Sequence, residues 1–400
     1  MTKFVVERTI WFRFTACHTI CFESRCKLGT IETPVFDLLF LYPIPFFLVK
    51  ILCYYFYMEG KTHYERIIGG TEKEKKDAHR TLQKTFDERN EKIAKYELEK
   101  TPEDLELIQK TENIVGSIVT GYKGDPKPTP IDHIYILKQG DVFLASDKRF
   151  RGGFHQPFGE NVIIEKQKSK LLFVSTLAHE LFHLKSYKAA RVGKSTEQIH
   201  LYRSGFSMFD RKNIDAAETG DEKEYFAILE EAIVAQCAQN FLEIAEKDEM
   251  FRKESEASKK IIEWVLAFYR RNGMPEEQAT EFIDELKYID GAEDKVKAIL
   301  DFSDDENKRQ AYAAGMFKAM YEKGDVIMHE RYNERKRLQK LLGEIVEKSN
   351  GKFKDIDEVF DEFAKANFSG NYLPLARIIE DIFGKGSFRK LAEEFSPTPA

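Results

Sequence analysis

Apolar and polar positions alternate in four distinct ways along the chain, and each way predicts a different kind of element. From Leu38 to Phe56 the run LLFLYPIPFFLVKILCYYF is almost wholly apolar. Residues 72–100 alternate Lys and Glu with scattered Leu, Phe and Tyr, which predicts a solvated helix acting as a connecting arm. Thr101-Pro102-Glu103 is a helix start, with a capping threonine, proline in the first turn and acids to suit the dipole; that helix runs to about Val119. Gly124, Pro126, Pro128 and Pro130 then mark a loop and a boundary. Period-two stretches follow. Ile131–Leu137 and Val142–Ala145 flank Gln139-Gly140-Asp141 and predict a hairpin, and NVIIE over 161–165 predicts another strand. The spacing predicts a helix from Lys170 to Arg191, then a strand from His200 to Met208 with Gly205 as a bulge. From Asp221 onward the pattern is helical almost throughout, broken near Gly273, Gly291, Ser303, Gly324, Gly351, Gly370 and Gly384, with no fixed-period repeat.

These elements predict an α+β chain that is mostly α. A small β-sheet, a histidine-bearing helix and a glutamate-bearing helix come first, and a helical C-terminal region follows. Four segments result: an apolar leader over 1–57, a charged helical arm over 58–125, a core over 126–248 and a helical domain over 249–400.

Composition changes the reading of the leader. Residues 1–57 hold six basic and four acidic groups, net +2, so the remainder of a chain with 62 − 68 = −6 carries −8. Residues 38–56 are about long enough to cross a bilayer, which takes roughly 20 apolar residues. Pro43, Pro45 and Lys50 lie inside that span. The apolar stretch begins too late for a secretory signal, and no small-residue cleavage site follows Tyr57. Three readings stay open: a membrane anchor, an upstream extension of a frame starting at Met58, and a buried helical hairpin. The body is then cytoplasmic, or single-pass anchored if 38–56 is a real span. The net negative charge gives no support to nucleic-acid binding by phosphate neutralisation. The five cysteines, four of them in the first 53 residues, do not make a disulfide framework and suit a reducing compartment. Cys17, His18, Cys21 and Cys26 contain no C-x-x-C pair.

The candidate chemistry lies at His179-Glu180-Leu181-Phe182-His183. On a helix this spacing puts two imidazoles one turn apart on one face, where both reach one zinc ion, and places the intervening glutamate beside a metal-bound water. Val174, Leu177, Ala178 and Leu181 form the apolar stripe next to it. A catalytic zinc needs a third protein ligand. The segment EYFAILEEAIVAQCAQNF over 224–241 is apolar nearly all round yet carries Glu230 and Glu231 at its centre. An unpaired carboxylate there is costly, so a metal is a natural partner. Helical geometry alone does not choose between the two.

The H-E-x-x-H helix resembles the active-site helix of the zincin metallopeptidases. The metzincin extension is absent, since Ser186 and Ala189 stand where its glycine and last histidine would be. The order strand, H-E-x-x-H helix, strand, glutamate helix over about 131–245 resembles a compact gluzincin core. That resemblance implies Glu231 as third ligand, since it is followed by the small Ala232, with Glu230 beside the ligands or facing solvent. The thermolysin-like aspartate four residues on is replaced by Ala235. The resemblance further implies zinc as cofactor, Glu180 as general base, and a peptide or protein substrate. It also implies a donor to the oxyanion, for which Tyr202, His200, Arg203 and Tyr225 are the candidates. His155, on a Gly-rich loop, is a candidate for lining the cleft. His63, His79, His133 and His329 have no partner spacing. Arg335, Lys336, Arg337 and Lys340 read as a solvated helix face. The rival function is a zinc-containing regulatory or binding module that uses helices 250–395 as its interaction surface.

Overall fold

Two short sheets bracket the histidine helix. A computed structural model of the chain describes residues 66–138, 140–141, 152–156, 160–192, 199–210, 223–275, 278, 286–289, 291–323, 326–328 and 331–397. The leader over 1–57, its apolar run 38–56, His63, His329 and the 142–145 half of the expected hairpin lie outside the described residues. Among the described residues no helix is long and apolar enough to cross a membrane. The chain is α+β and mostly α.

Strand β1 (Arg66–Ile68) leads into α1 (Glu72–Ala94), whose start is a capping box between Thr71 and Glu74. Helix α1 is charged on one side, but Ala78, Leu82, Phe86 and Ile93 are buried, so it is packed against the body along a face rather than solvated all round. Helix α2 (Pro102–Gly121) opens on a second capping box, Thr101 with Asp104. Strands β2 (Ile134–Leu137), β3 (Gly153–Gln156) and β4 (Asn161–Glu165) form a sheet in the order β2-β4-β3. β2 pairs with β4 in parallel, Ile134 opposite Val162, and β3 pairs with β4 antiparallel, Phe154 opposite Ile163. All five residues of β4 are buried, as suits a central strand covered on both faces.

The histidine helix α3 (Lys170–Lys185) stops six residues before the expected end. Ser186 turns the backbone to an extended conformation, and its hydroxyl donates to the Phe182 carbonyl. Residues 188–192 then form β5 (Lys188–Val192), held between β1 and β6 (Ile199–Ser204) by sheet pairing that outweighs local helical periodicity. The expected long strand 200–208 is instead a tight hairpin. β6 turns at Gly205-Phe206 into β7 (Ser207–Asp210), with Ser204 opposite Ser207 and Gly205 at φ +54°. With β8 (Lys223–Tyr225) the second sheet reads β1-β5-β6-β7-β8.

The glutamate helix α4 (Ala227–Ala245) is preceded by Phe226 in the left-handed region, φ +61°. Its first amides would be orphaned in a buried helix end. Phe226 N–H donates to the Ala392 carbonyl at 3.3 Å and Ile228 N–H to the Phe395 carbonyl at 3.0 Å. Helix α5 (Glu249–Arg271), β9 (Leu286–Ile289), α6 (Ala292–Phe302) and α7 (Glu306–Lys323) build a second core around Ile261, Val265, Ile299 and Phe317, and β10 (Val326–Met328) pairs antiparallel with β9. The last helices, α8 (Tyr332–Lys348), α9 (Ile356–Ser369), α10 (Leu373–Phe383) and α11 (Ser387–Glu394), return to the first core. Leu338, Leu342, Phe363 and Phe368 pack there with Leu177, Leu181 and Ile233. Each such side chain contributes about 1.5–3 kcal/mol when fully buried. The C-terminal helices therefore help complete the core that carries α3 and α4.

Candidate metal centre

Helix α3 is apolar on most of its surface, with Leu177, Ala178, Leu181 and Phe182 fully buried. That burial fixes its rotation and leaves His179, Glu180 and His183 on the side facing α4 and β3. His183 Nε2 lies 3.2 Å from His179 Nε2. Glu231 Oε2 lies 3.8 Å from His179 Nε2 and 3.5 Å from His183 Nε2. A tetrahedral zinc with bonds of about 2.0–2.1 Å separates its ligand atoms by roughly 3.3 Å. The two separations to His183 Nε2 lie close to that edge length, and the His179–Glu231 separation of 3.8 Å is longer.

Two further observations fit a cation. Glu231 Oε2 is buried among nitrogens, with Arg331 Nε at 3.0 Å and the two imidazole Nε2 atoms at 3.5 and 3.8 Å. The two imidazole nitrogens, in turn, cannot both carry protons at their separation. Burial, reinforced by the charge of His183, lowers the pKa of His179 to about 4. Burial alone would lower His183 too, but Glu230 and Glu231 beside it raise its pKa well above the usual value. Burial tends to raise the Glu231 carboxyl, yet His183, His179 and Arg331 together depress it. The site therefore brings a carboxylate and a positive charge together, the arrangement a bound metal would replace.

The two glutamates have different partners. Glu231 faces both Nε2 atoms. Glu230 Oε1 instead receives His183 Nδ1–H at 2.8 Å, with both side chains buried. This bond fixes the tautomer that leaves the Nε2 lone pair for a metal.

Glu180 is buried, and burial raises its pKa despite the neighbouring histidines. Its Oε2 lies 3.3 Å from His155 Nδ1 on β3, and the His155 ring stacks on His183 with centroids 4.8 Å apart. Sequence reasoning had only the Gly152-Gly153 pair as a signal for His155. Arg331, at the start of α8, was not a candidate at all. Its Nε lies 3.0 Å from Glu231 Oε2, and the side chain is 39% exposed.

Of the four expected oxyanion donors, Arg203 is taken up by backbone carbonyls. The Arg203 guanidinium donates to the carbonyls of Gly205 (2.8 Å), Gly370 (2.6 Å) and Ala366 (3.3 Å), and stacks on Tyr372 at 3.3 Å. It ties the β6–β7 turn to the C-terminal helices. Tyr202 is half-buried on β6 beside Arg203 and Tyr372. Tyr225 packs against the main core from β8, and His200 lies on β6. His133 Nδ1 meets the Glu160 carbonyl at 3.2 Å. In the basic run, Arg337 donates to the Glu394 carbonyl at 3.0 Å and stacks over Phe395. Cys237 is buried and its thiol pKa is pushed up by that burial, which makes it a packing residue.

In comparisons with known proteins, the chain matches no protein-family model, no curated protein and no solved structure.

Proposed function

We propose that this chain is a zinc-dependent metallopeptidase of gluzincin type. The observation that carries the reading is the convergence of His179 Nε2, His183 Nε2 and Glu231 Oε2 close to tetrahedral ligand spacing, with Glu180 alongside. Those three residues would hold the metal, and a zinc bound there would lower the pKa of a water to about 7 and polarise a substrate carbonyl. Glu180, kept basic by burial, takes the water's proton and returns it to the leaving amine. Arg331 stands beside Glu231 at the open edge of the site, where its guanidinium can meet the developing negative charge on the carbonyl oxygen.

A peptide substrate suits the surroundings. Among the described residues β3 is the outer strand of its sheet and runs past Glu180, so an extended chain can lie along it by backbone hydrogen bonding. With the net charge negative and Arg337 packed on the last helix, nucleic acid is not proposed as a partner. The body is placed in a reducing, cytoplasmic compartment, tethered to a membrane if residues 38–56 span one.

The test is a peptide-library digest by the zinc-loaded chain and by Glu180→Gln. The wild type cleaves, while the variant keeps stoichiometric zinc by elemental analysis and loses at least about 10²-fold in kcat, the usual weight of a general base. A zinc-loaded wild type that cleaves nothing, or a variant as fast as wild type, removes the peptidase reading.

A further inference from the structure

Two glycines let one strand come unusually close to the histidine helix. A Cβ on Gly153 would meet Thr176 Cγ2 at 2.9 Å and the Ile163 carbonyl at 3.1 Å, so only glycine permits this approach. Gly152, at φ +84°, also needs glycine for its backbone, and Thr176 is the first atom group its Cβ would meet. Thr176, Glu180 and His183 share one face of α3, at the i, i+4, i+7 spacing. Two residues of strand advance about 6.6 Å. Four residues of helix advance about 6 Å. A strand that touches Thr176 with residue 153 therefore brings residue 155 level with Glu180. His155 is there, Nδ1 at 3.3 Å from Glu180 Oε2, its ring stacked on His183 at an interplanar angle of 15°.

We infer that His155 is the positioning residue for Glu180: its Nδ1–H holds Oε2 of the carboxylate, beside the reach of its own backbone N–H, and so sets which oxygen faces the water. The inference rests on the peptidase reading for its consequence, but not for the pairing itself. A glutamate carboxylate rotates almost freely about its last bond. A donor on one oxygen removes that freedom and aims the other, which is the pre-organisation a general base needs. The stack on His183 sets the plane of the imidazole, so the ligand helix and the base are held by one ring. Lys188, fully buried under the end of α3, donates to the Leu184 and His183 carbonyls and fixes the helix end next to this group.

Two substitutions separate the hydrogen bond from the ring. His155→Phe keeps the stack and the backbone N–H and removes the side-chain donor. His155→Asn supplies an amide N–H near the position of Nδ1 and removes the ring. In the zinc-loaded full chain, kcat of the Phe variant is expected to fall about 10–10²-fold with KM and zinc content unchanged, and the Asn variant to recover most of that loss. A Phe variant at the wild-type kcat, or an Asn variant no better than Phe, overturns the inference. A second measurement is independent of turnover. In ¹⁵N-histidine-labelled protein, a slowly exchanging Nδ1–H resonance of His155 is expected in wild type and is lost in Glu180→Ala. Its absence from wild type, or its persistence in Glu180→Ala, overturns the inference whatever the activity. An inactive wild type that shows the resonance and its loss removes the peptidase reading and upholds the pairing.

Discussion

His183 Nδ1 and Glu230 Oε1 lie 2.8 Å apart, and neither side chain is more than 7% exposed. The bond orients the imidazole through the nitrogen far from His179, while the adjacent Glu231 reaches the Nε2 side directly, where the proposed metal would bind. The consequences differ by kind. His179→Ala, His183→Ala and Glu231→Ala should each abolish stoichiometric zinc binding. Glu230→Gln should retain a site of the right geometry with affinity about 10–100-fold weaker, as is usual when a ligand's supporting carboxylate is removed. Competition with a chromophoric chelator measures both. Equal loss in Glu230→Gln and Glu231→Ala would make Glu230 a ligand.

Arg331 permits a test that separates charge balance from catalysis. If its guanidinium steadies the oxyanion, Arg331→Ala lowers kcat about 10²-fold at saturating zinc, the weight of one such donor. Zinc affinity should stay the same or rise, because Glu231 loses a competing cation. A change confined to zinc affinity would show a counter-ion and nothing more.

Gly205 sits where two requirements meet. Its φ of +54° is costly for other residues, and a Cβ there would lie 2.3 Å from Asn367 Oδ1 and 3.0 Å from Glu230 Cγ. Gly205→Ala should cost about 1–3 kcal/mol in urea unfolding, the range for a strained backbone position. It should also weaken zinc binding, because Glu230 must move. Unchanged affinity with reduced stability would show that Asn367 alone gives way.

Asp104 closes the capping box of α2 and meets Lys166. Its carboxyl faces the cost of burial, but Lys166 and Thr101 outweigh that and hold its pKa below the usual range. The folded pKa is the lower one, so the stabilisation is present above the unfolded value, about 3.9, and is lost as pH falls through the folded value. Asp104→Asn should cost about 1 kcal/mol near neutral pH, typical of a lost cap. The gap from wild type should close below about pH 3 in urea titrations. A gap that persists there would assign the effect to packing.

The histidine helix is legible in the chain because its information is local: five residues on one helix specify spacing, face and chemistry. The choice between Glu230 and Glu231 is not local. Adjacent helical residues differ by about 100° in direction, and only the placement of α3 shows that one meets Nε2 atoms and the other Nδ1. His155 and Arg331 reach the site through a strand 25 residues before Glu180 and a helix start 100 residues after Glu231. No periodicity carries such distances. The strand 188–192 was hidden for a related reason, since Ser186 ends the helix only in concert with sheet partners on both sides.

The end of the chain plugs the start of the glutamate helix, Ala392 and Phe395 accepting from Phe226 and Ile228. The arrangement has a consequence in time. Residue 231 leaves a ribosome 395 − 231 = 164 residues ahead of residue 395. At about 5–20 residues per second that interval is roughly 10–30 s. Until the last helix is made, the amides that begin α4 have no carbonyls to meet, and the helix that carries Glu231 is unanchored at its first turn. On the metallopeptidase reading the delay falls on the site itself: Glu231 has a fixed first turn beneath it only after residues 392–395 have been made, so a nascent chain carries the two histidines well before it carries a positioned third ligand.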